Sequence, residues 1–271
     1  EEFADTLKLM HELAKILRAE KIRRGYIDFG IDEAKVIQDE KGKAIDIVKR
    51  VQGTGEKLIE DFMIAANETV ATHISNMDLP FIYRVHDLPN SDKIEDFSNL
   101  LKQLGYHLNV NMNSLTPKTM QQILNELRGK DEFMILSDML LRSMKKAIYS
   151  TNNIGHFGLA SKNYTHFTSP IRRFPDLTVH RLLRTYLFEN RIDMETINFN
   201  AKYLIDVAEH SSETEVNAIE AEREVLDMKM AEYMEDHIGE EYDGIISGVT
   251  NFGLFIELSN LVEGLVHIST L

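Results

Sequence analysis

The sequence predicts an α+β chain, on three observations. Helical and strand-like patterns interleave over roughly the first two hundred residues. A single long helical pattern then runs from about Ala201 to His237. After Gly239 the texture switches to short alternating strands punctuated by glycine. The expected domains are therefore 1–238, of mixed helices and short strands, and 239–271, the start of a β-barrel module.

The elements follow in order. Leu7, Met10, Leu13, Ala14 and Leu17 recur at helical spacing, so an amphipathic helix opens the chain and ends near Gly25. Val36-Ile37 and Ile45–Val48 flank the turn-like Asp39–Gly42 and predict a hairpin. A helix follows from about Glu56 to Asn76, then a strand at Phe81–Val85 closed by Pro89. Further helices are expected over Ser91–Leu104, Pro117–Leu127 and Glu132–Ile148. On the long helix, Val216, Ile219, Leu226, Met230 and Tyr233 form an apolar stripe, and Glu222 falls on it. A buried carboxylate there needs a partner, so Glu222 is either the mate of a core arginine or a chemical group. Tyr242–Val249, Gly253–Leu258 and Gly264–Ile268 are three strands, whereas an OB fold has five, so the last module reads as truncated.

Composition narrows the function classes. The 271 residues are 43% apolar, enough to bury a core, and no apolar run approaches the roughly 20 residues of a membrane helix. A secretory pattern is missing at the amino end, so the expectation is a cytoplasmic protein without a membrane. The absence of cysteine removes disulfides, zinc thiolates and thiol catalysis. Glu1-Glu2-Phe3 carries no methionine, which reads as a processed or cut start.

A net charge of -14 argues at first against a nucleic-acid partner. Its distribution argues otherwise. Residues 142–191 hold nine Lys/Arg and two Asp/Glu, a balance of +7, whereas residues 209–243 stand at -11. The acidic block is an ordinary solvated helix face. The basic segment is interleaved with Tyr149, His156, Phe157, Tyr164, His166 and Phe167, the mixture that single-strand sites use. Within it, Thr168-Ser169-Pro170 is a helix-start signal, and Arg172 and Arg173 supply forked donors suited to phosphate. A helix through Pro175 either kinks there or begins there. Tyr164, His166, Thr168, Ser169 and Arg173 are thus candidate RNA-binding residues.

Gly155–Ala160 and Tyr164–Asp176, together with Met63–Ala71, Tyr83–Pro89 and Ala221-Glu222-Arg223-Glu224, resemble the signature of the ribonuclease II/ribonuclease R catalytic domain, closer to the ribonuclease R type. The tail, with Phe252–Phe255 and Gly264–Ser269, resembles the ribosomal-protein-S-one type of OB fold. The resemblance implies a processive, hydrolytic 3′-to-5′ exoribonuclease that releases nucleoside 5′-monophosphates from single-stranded RNA or RNA with a 3′ overhang. It implies catalytic roles for Arg172, at the scissile phosphate, and Glu222, near the terminal nucleotide. It places Phe252, Phe255 and His267 toward RNA, with barrel core the competing reading for Phe255. A guanidinium stabilises charge developing on a phosphate, which fits Arg172.

The resemblance also implies magnesium, held by an aspartate cluster that this chain lacks. Asp28, Asp32, Asp39 and Asp46 are too widely spaced to replace it. His11, His73, His107, His210 and His237 form no metal-ligand pattern, and His86 and His180 read as structural or RNA-facing. Two readings follow: a monomeric piece of an active exoribonuclease that by itself grips RNA without cutting it, or a non-catalytic RNA-binding or regulatory protein.

Overall fold

The computed structural model describes residues 3–30, 32–106, 115–130 and 132–271; His107 lies outside them. The chain forms two compact units, Glu1–Phe29 with Gly53–Thr214, and Gly30–Gln52 with Glu215–Leu271. Among the described residues no helix is long and apolar enough to cross a membrane.

The first unit opens with α1 (Ala4–Arg24), stopped by Gly25 in the left-handed conformation at φ 109°. Helix α2 (Thr54–Asn76) lies against it. Between the two, Lys21 and Asp61 are buried and paired at 2.9 Å, with Arg18 closing on the other carboxylate oxygen. Strand β3 (Tyr83–Val85) is followed by α3 (Ser91–Gln103), α4 (Pro117–Leu127) and α5 (Phe133–Ser143). Asn90 caps α3 and Thr116 caps α4, whose first residue is Pro117, as the sequence predicts.

Two apolar clusters hold this unit. One gathers Ile94, Phe97, Met120, Ile123, Leu136 and Leu140 from α3, α4 and α5. The other packs Ile74, Phe81, Val85, Val179, Tyr186 and Leu204 around β3 and its partner β4 (Ile148–Ser150). The helix expected over 132–148 therefore ends early. Met144 turns extended at ψ 144°, and Ile148 pairs with Val85 as sheet.

Helix α6 (Phe174–Leu183) begins at the Pro175 alternative, with Arg173 as its cap residue, so Thr168-Ser169-Pro170 precedes a turn and starts no helix. The long helix α7 spans Met194–Glu235, seven residues earlier than the periodicity indicates, because the Asp193 carboxylate accepts from Thr196 N and Oγ1. Its buried positions end at Ser211. Downstream, Ile219 is 56% exposed and Glu222 is exposed too. Glu222 is thus not an interior carboxylate, and the stripe it shares meets no core.

In the second unit, β1 (Glu33–Gln38) and β2 (Ala44–Arg50) form the expected hairpin. Lys43 pairs with Asp236 at 2.6 Å, and Glu232 accepts from Ala44 N, which ties the hairpin to the end of α7. Strands β5 (Gly244–Thr250), β6 (Gly253–Leu258) and β7 (Glu263–His267) form an antiparallel sheet in that order, matching the three strands expected.

Removing Asp61 leaves the buried Lys21 ammonium with Glu60 alone, 3.1 Å away. Asp61→Ala is therefore expected to lower the urea midpoint, by less than the roughly 3–5 kcal/mol of an uncompensated buried charge, while removing the exposed Asp5–Lys8 pair leaves the midpoint unchanged. Equal effects would show that the α1–α2 pair is not buried in solution.

Candidate RNA-binding site

The basic segment is less free than its charge count indicates. Arg142 pairs with Asp138, Lys145 with Asp87, Arg173 with Asp176 and Arg184 with Glu189. Among the described residues Lys146, Lys162, Arg172, Arg181 and Arg191 make no ion pair, and Arg181 lies over the Phe174 ring. The unpaired charge is therefore concentrated on a few side chains, and Arg172 is the one in the signature turn.

That turn is held from beneath. Asp176 is fully buried and accepts from Ser169 N and from Arg173 Nη2, each at 2.8 Å. Its other oxygen lies 2.8 Å from Arg173 Nε as an ion pair, although neither of these two buried atoms makes a hydrogen bond among the described residues. Ser169 O in turn receives the Arg172 and Arg173 amides. Arg173, expected to touch RNA, is spent on this brace. Arg172 and Ile171 are left exposed at the tip. Thr168 Oγ1 is buried without a hydrogen-bond partner, so it is not an open contact.

Beside the turn stands a wall of rings. His86, His156, Tyr164, His166 and Tyr149 follow one another edge to face, with centroids 5.0–5.8 Å apart. Asn67 on α2 donates to Tyr164 Oη at 3.0 Å and accepts from Phe167 N at 3.0 Å, locking the segment to the helix. Tyr164 is thereby buried, whereas His166 is half-buried with Nδ1 2.7 Å from Tyr149 Oη. Arg84 lies over the Tyr149 ring at 4.7 Å. His156 bridges to both His86 and Ser161, and a side chain on Gly155 (φ 79°) would press on Ser161 O at 3.0 Å.

Burial, with the arginines around it, sets the electrostatics of the wall. It lowers His156 to about 3, with His86 and Arg84 adding to the effect. It lowers His166 to about 2, with Arg173 and Arg84 next in weight. Both rings are neutral at working pH. The site thus combines uncharged imidazoles with one outward guanidinium.

In the second unit, Gly253 pairs with His267 and Phe255 with Leu265, which places Phe255 and His267 on one face of the sheet. Phe252 is 49% exposed and meets Phe255 edge-on at 6.1 Å. Phe255 is half-buried, and His267 is exposed with Nδ1 accepting from Ser269 N. Glu222 belongs to this unit, and Arg172 to the first.

Asn67 and Asp176 are the residues that sequence reasoning left without a role. Asn67 lies inside a recognised motif, and Asp176 stands three residues after Arg173 at ion-pair spacing, so both signals were present.

The neutral histidines predict an acid sensitivity. In the unfolded chain His156 and His166 gain protons as pH falls through about 6.5, while in the folded chain they do not until about 3 and 2. The unfolded state then binds more protons, so stability declines below pH 6.5 toward pH 3. Urea midpoints at pH 7 and about 5 should show this decline, and His166→Asn should reduce it. A pH-independent midpoint would contradict the buried placement of the two rings.

With this geometry in hand, three likenesses are informative. Residues 1–189 match the RNB domain, and residues 235–271 match the S1 RNA binding domain. The chain is 52% identical to ribonuclease R 1 of Lactococcus lactis over 99% of its own length and 33% of that protein's. It is 46% identical to the ribonuclease R of Thermotoga maritima over 100% of its length and 38% of that protein's. The apo structure of Mycoplasma genitalium RNase R superposes with a TM-score of 0.93 at 33% identity, covering 98% of this chain and 42% of that one. The chain thus spans about a third of the length of the curated relatives it matches. With the RNB domain covering more than half of its residues, the chain belongs to the RNB family of ribonuclease R-type proteins.

Proposed function

We propose that this chain serves the processive 3′-to-5′ hydrolysis of RNA to nucleoside 5′-monophosphates, gripping single-stranded RNA or a 3′ overhang. The observation that carries this reading is Arg172, an exposed guanidinium without an ion-pair partner among the described residues, on a turn braced by buried Asp176. A fork held in a fixed direction suits a phosphate whose charge grows in the transition state. The neutral imidazoles beside it add hydrogen-bonding capacity without competing for the anion. Phe252, Phe255 and His267 offer a second surface on which bases stack. Glu222 enters on the resemblance alone, as an exposed carboxylate assigned to the terminal nucleotide. A structure of the Mycoplasma genitalium enzyme in complex with ribose-methylated single-stranded RNA, at 33% identity, supports the choice of ligand.

Magnesium does not fit the described residues, among which no three His, Asp or Glu converge on one point. A second reading, a non-catalytic RNA grip, stands beside the first.

Arg172→Lys separates the two. In the exoribonuclease reading, mononucleotide release by the natural protein falls by about 10²–10³, with a much smaller loss of RNA affinity. Equal losses in binding and turnover would remove the transition-state role. If the unaltered protein binds RNA and releases no mononucleotide with magnesium present, the second reading stands.

A further inference from the structure

A cavity of about 510 Å³ lies in the first unit on the side of the ring wall formed by His86 and His156, and it is lined from Arg24 round to Lys162. Its size falls within the roughly 300–1,000 Å³ of small-molecule sites. The proposed function makes no use of it.

The lining has a one-sided hydrogen-bonding character. Asn153 is taken up by Asn163 and by Gly155 N, and Ser161 Oγ donates to Asn163 O. Asp87 is neutralised by Lys145. Arg24 gives only Nη2 to Glu68. Lys162 is exposed and makes no ion pair among the described residues. His86 Nδ1 accepts from Gly158 N, so its neutral ring carries its proton on Nε2, which is buried without a hydrogen-bond partner among the described residues. The polar side-chain groups left over are therefore donors, and Lys162 is the cation among them that pairs with no described carboxylate, Arg24 being held by Glu68.

The remaining lining is flat and apolar. Phe157 is buried, and Leu88 and Ile154 are 57% and 53% exposed at the rim. A ligand complementary to this lining is rich in acceptors, carries negative charge at one end and presents a planar or sugar face at the other. An acidic peptide meets the charge and leaves the apolar rim without a partner.

We infer that this cavity, lined by Lys162, Arg24 and the His86 Nε2–H together with Leu88 and Ile154, is a binding site for a nucleoside phosphate separate from the Arg172 turn. The moiety is either a free mononucleotide or a unit of an RNA chain. The inference deepens the RNA reading and rests on it for the choice of nucleotide over other organic phosphates.

The test uses the natural protein carrying Arg172→Ala, so that the turn does not mask a second site. Adenosine 5′-monophosphate and a short oligoribonucleotide are titrated in that background, then again with Lys162→Ala and with Ile154→Trp, which fills the cavity mouth. Both positions are exposed, and equal thermal midpoints confirm that the variants fold. A loss of about tenfold in adenosine 5′-monophosphate affinity with each variant supports the site and assigns it to free nucleotide. The same loss seen only with the oligoribonucleotide supports it and assigns it to RNA. Affinities for both ligands unmoved by either variant overturn the proposal, as does competition by an acidic peptide where neither ligand competes. RNA hydrolysis by the unaltered protein is measured in parallel, so failure of the exoribonuclease reading is seen separately from failure of the cavity site.

Discussion

The buried pair between Asp176 and Arg173 is the constraint on which the candidate site depends. A fully buried carboxylate is tolerated only when it is compensated, and here Oδ1 takes hydrogen bonds from Arg173 Nη2 and the Ser169 amide while Oδ2 is met by the charge of Arg173 alone. That requirement holds the turn before α6 in one shape. Arg172 then stands on a fixed backbone, so only its side-chain torsions would have to be ordered by a phosphate, which reduces the entropic cost of binding. One arginine of the doublet is thus structural, and its neighbour is the one proposed to contact the ligand.

Around this brace, burial and charge act in the same direction. Desolvation of His156 and His166 opposes their protonation, and the nearby arginines oppose it further. Positive charge beside the turn is therefore confined to guanidinium and ammonium groups, whose attraction for an anion does not change over ordinary pH. The net charge of -14 does not conflict with this. Much of the acid lies on the later part of α7 and beyond, while several basic groups of residues 142–191 are consumed by local pairs. What matters to an anionic ligand is the few cations left unpaired and the direction in which they point.

Much of the fold was legible because its signals are local. Pro117 after Thr116, the left-handed Gly25 and the Asp39–Gly42 turn each act through a few neighbouring residues, and each element stands where periodicity and caps put it. The errors share a different cause. Ile148 left its helix to pair with Val85, a partner distant in sequence. The stripe carrying Glu222 kept helical spacing without a core to meet, since burial on α7 ends at Ser211. The choice between Arg172 and Arg173 required knowing which one Asp176 captures, and spacing alone does not orient a turn. Asn67 likewise gained its role from Tyr164 and Phe167, far along the chain.

The measurement closest to the centre of this account is native-state hydrogen exchange at the Ser169 amide. Its hydrogen goes to Asp176 Oδ1 at 2.8 Å, beneath a turn in otherwise irregular chain. If the brace holds the turn, that amide exchanges as slowly as the core amides of α6, through the same opening. Exchange at the rate of an exposed loop would mean that the turn opens freely, that Arg172 is not held in a fixed direction, and that the account is wrong.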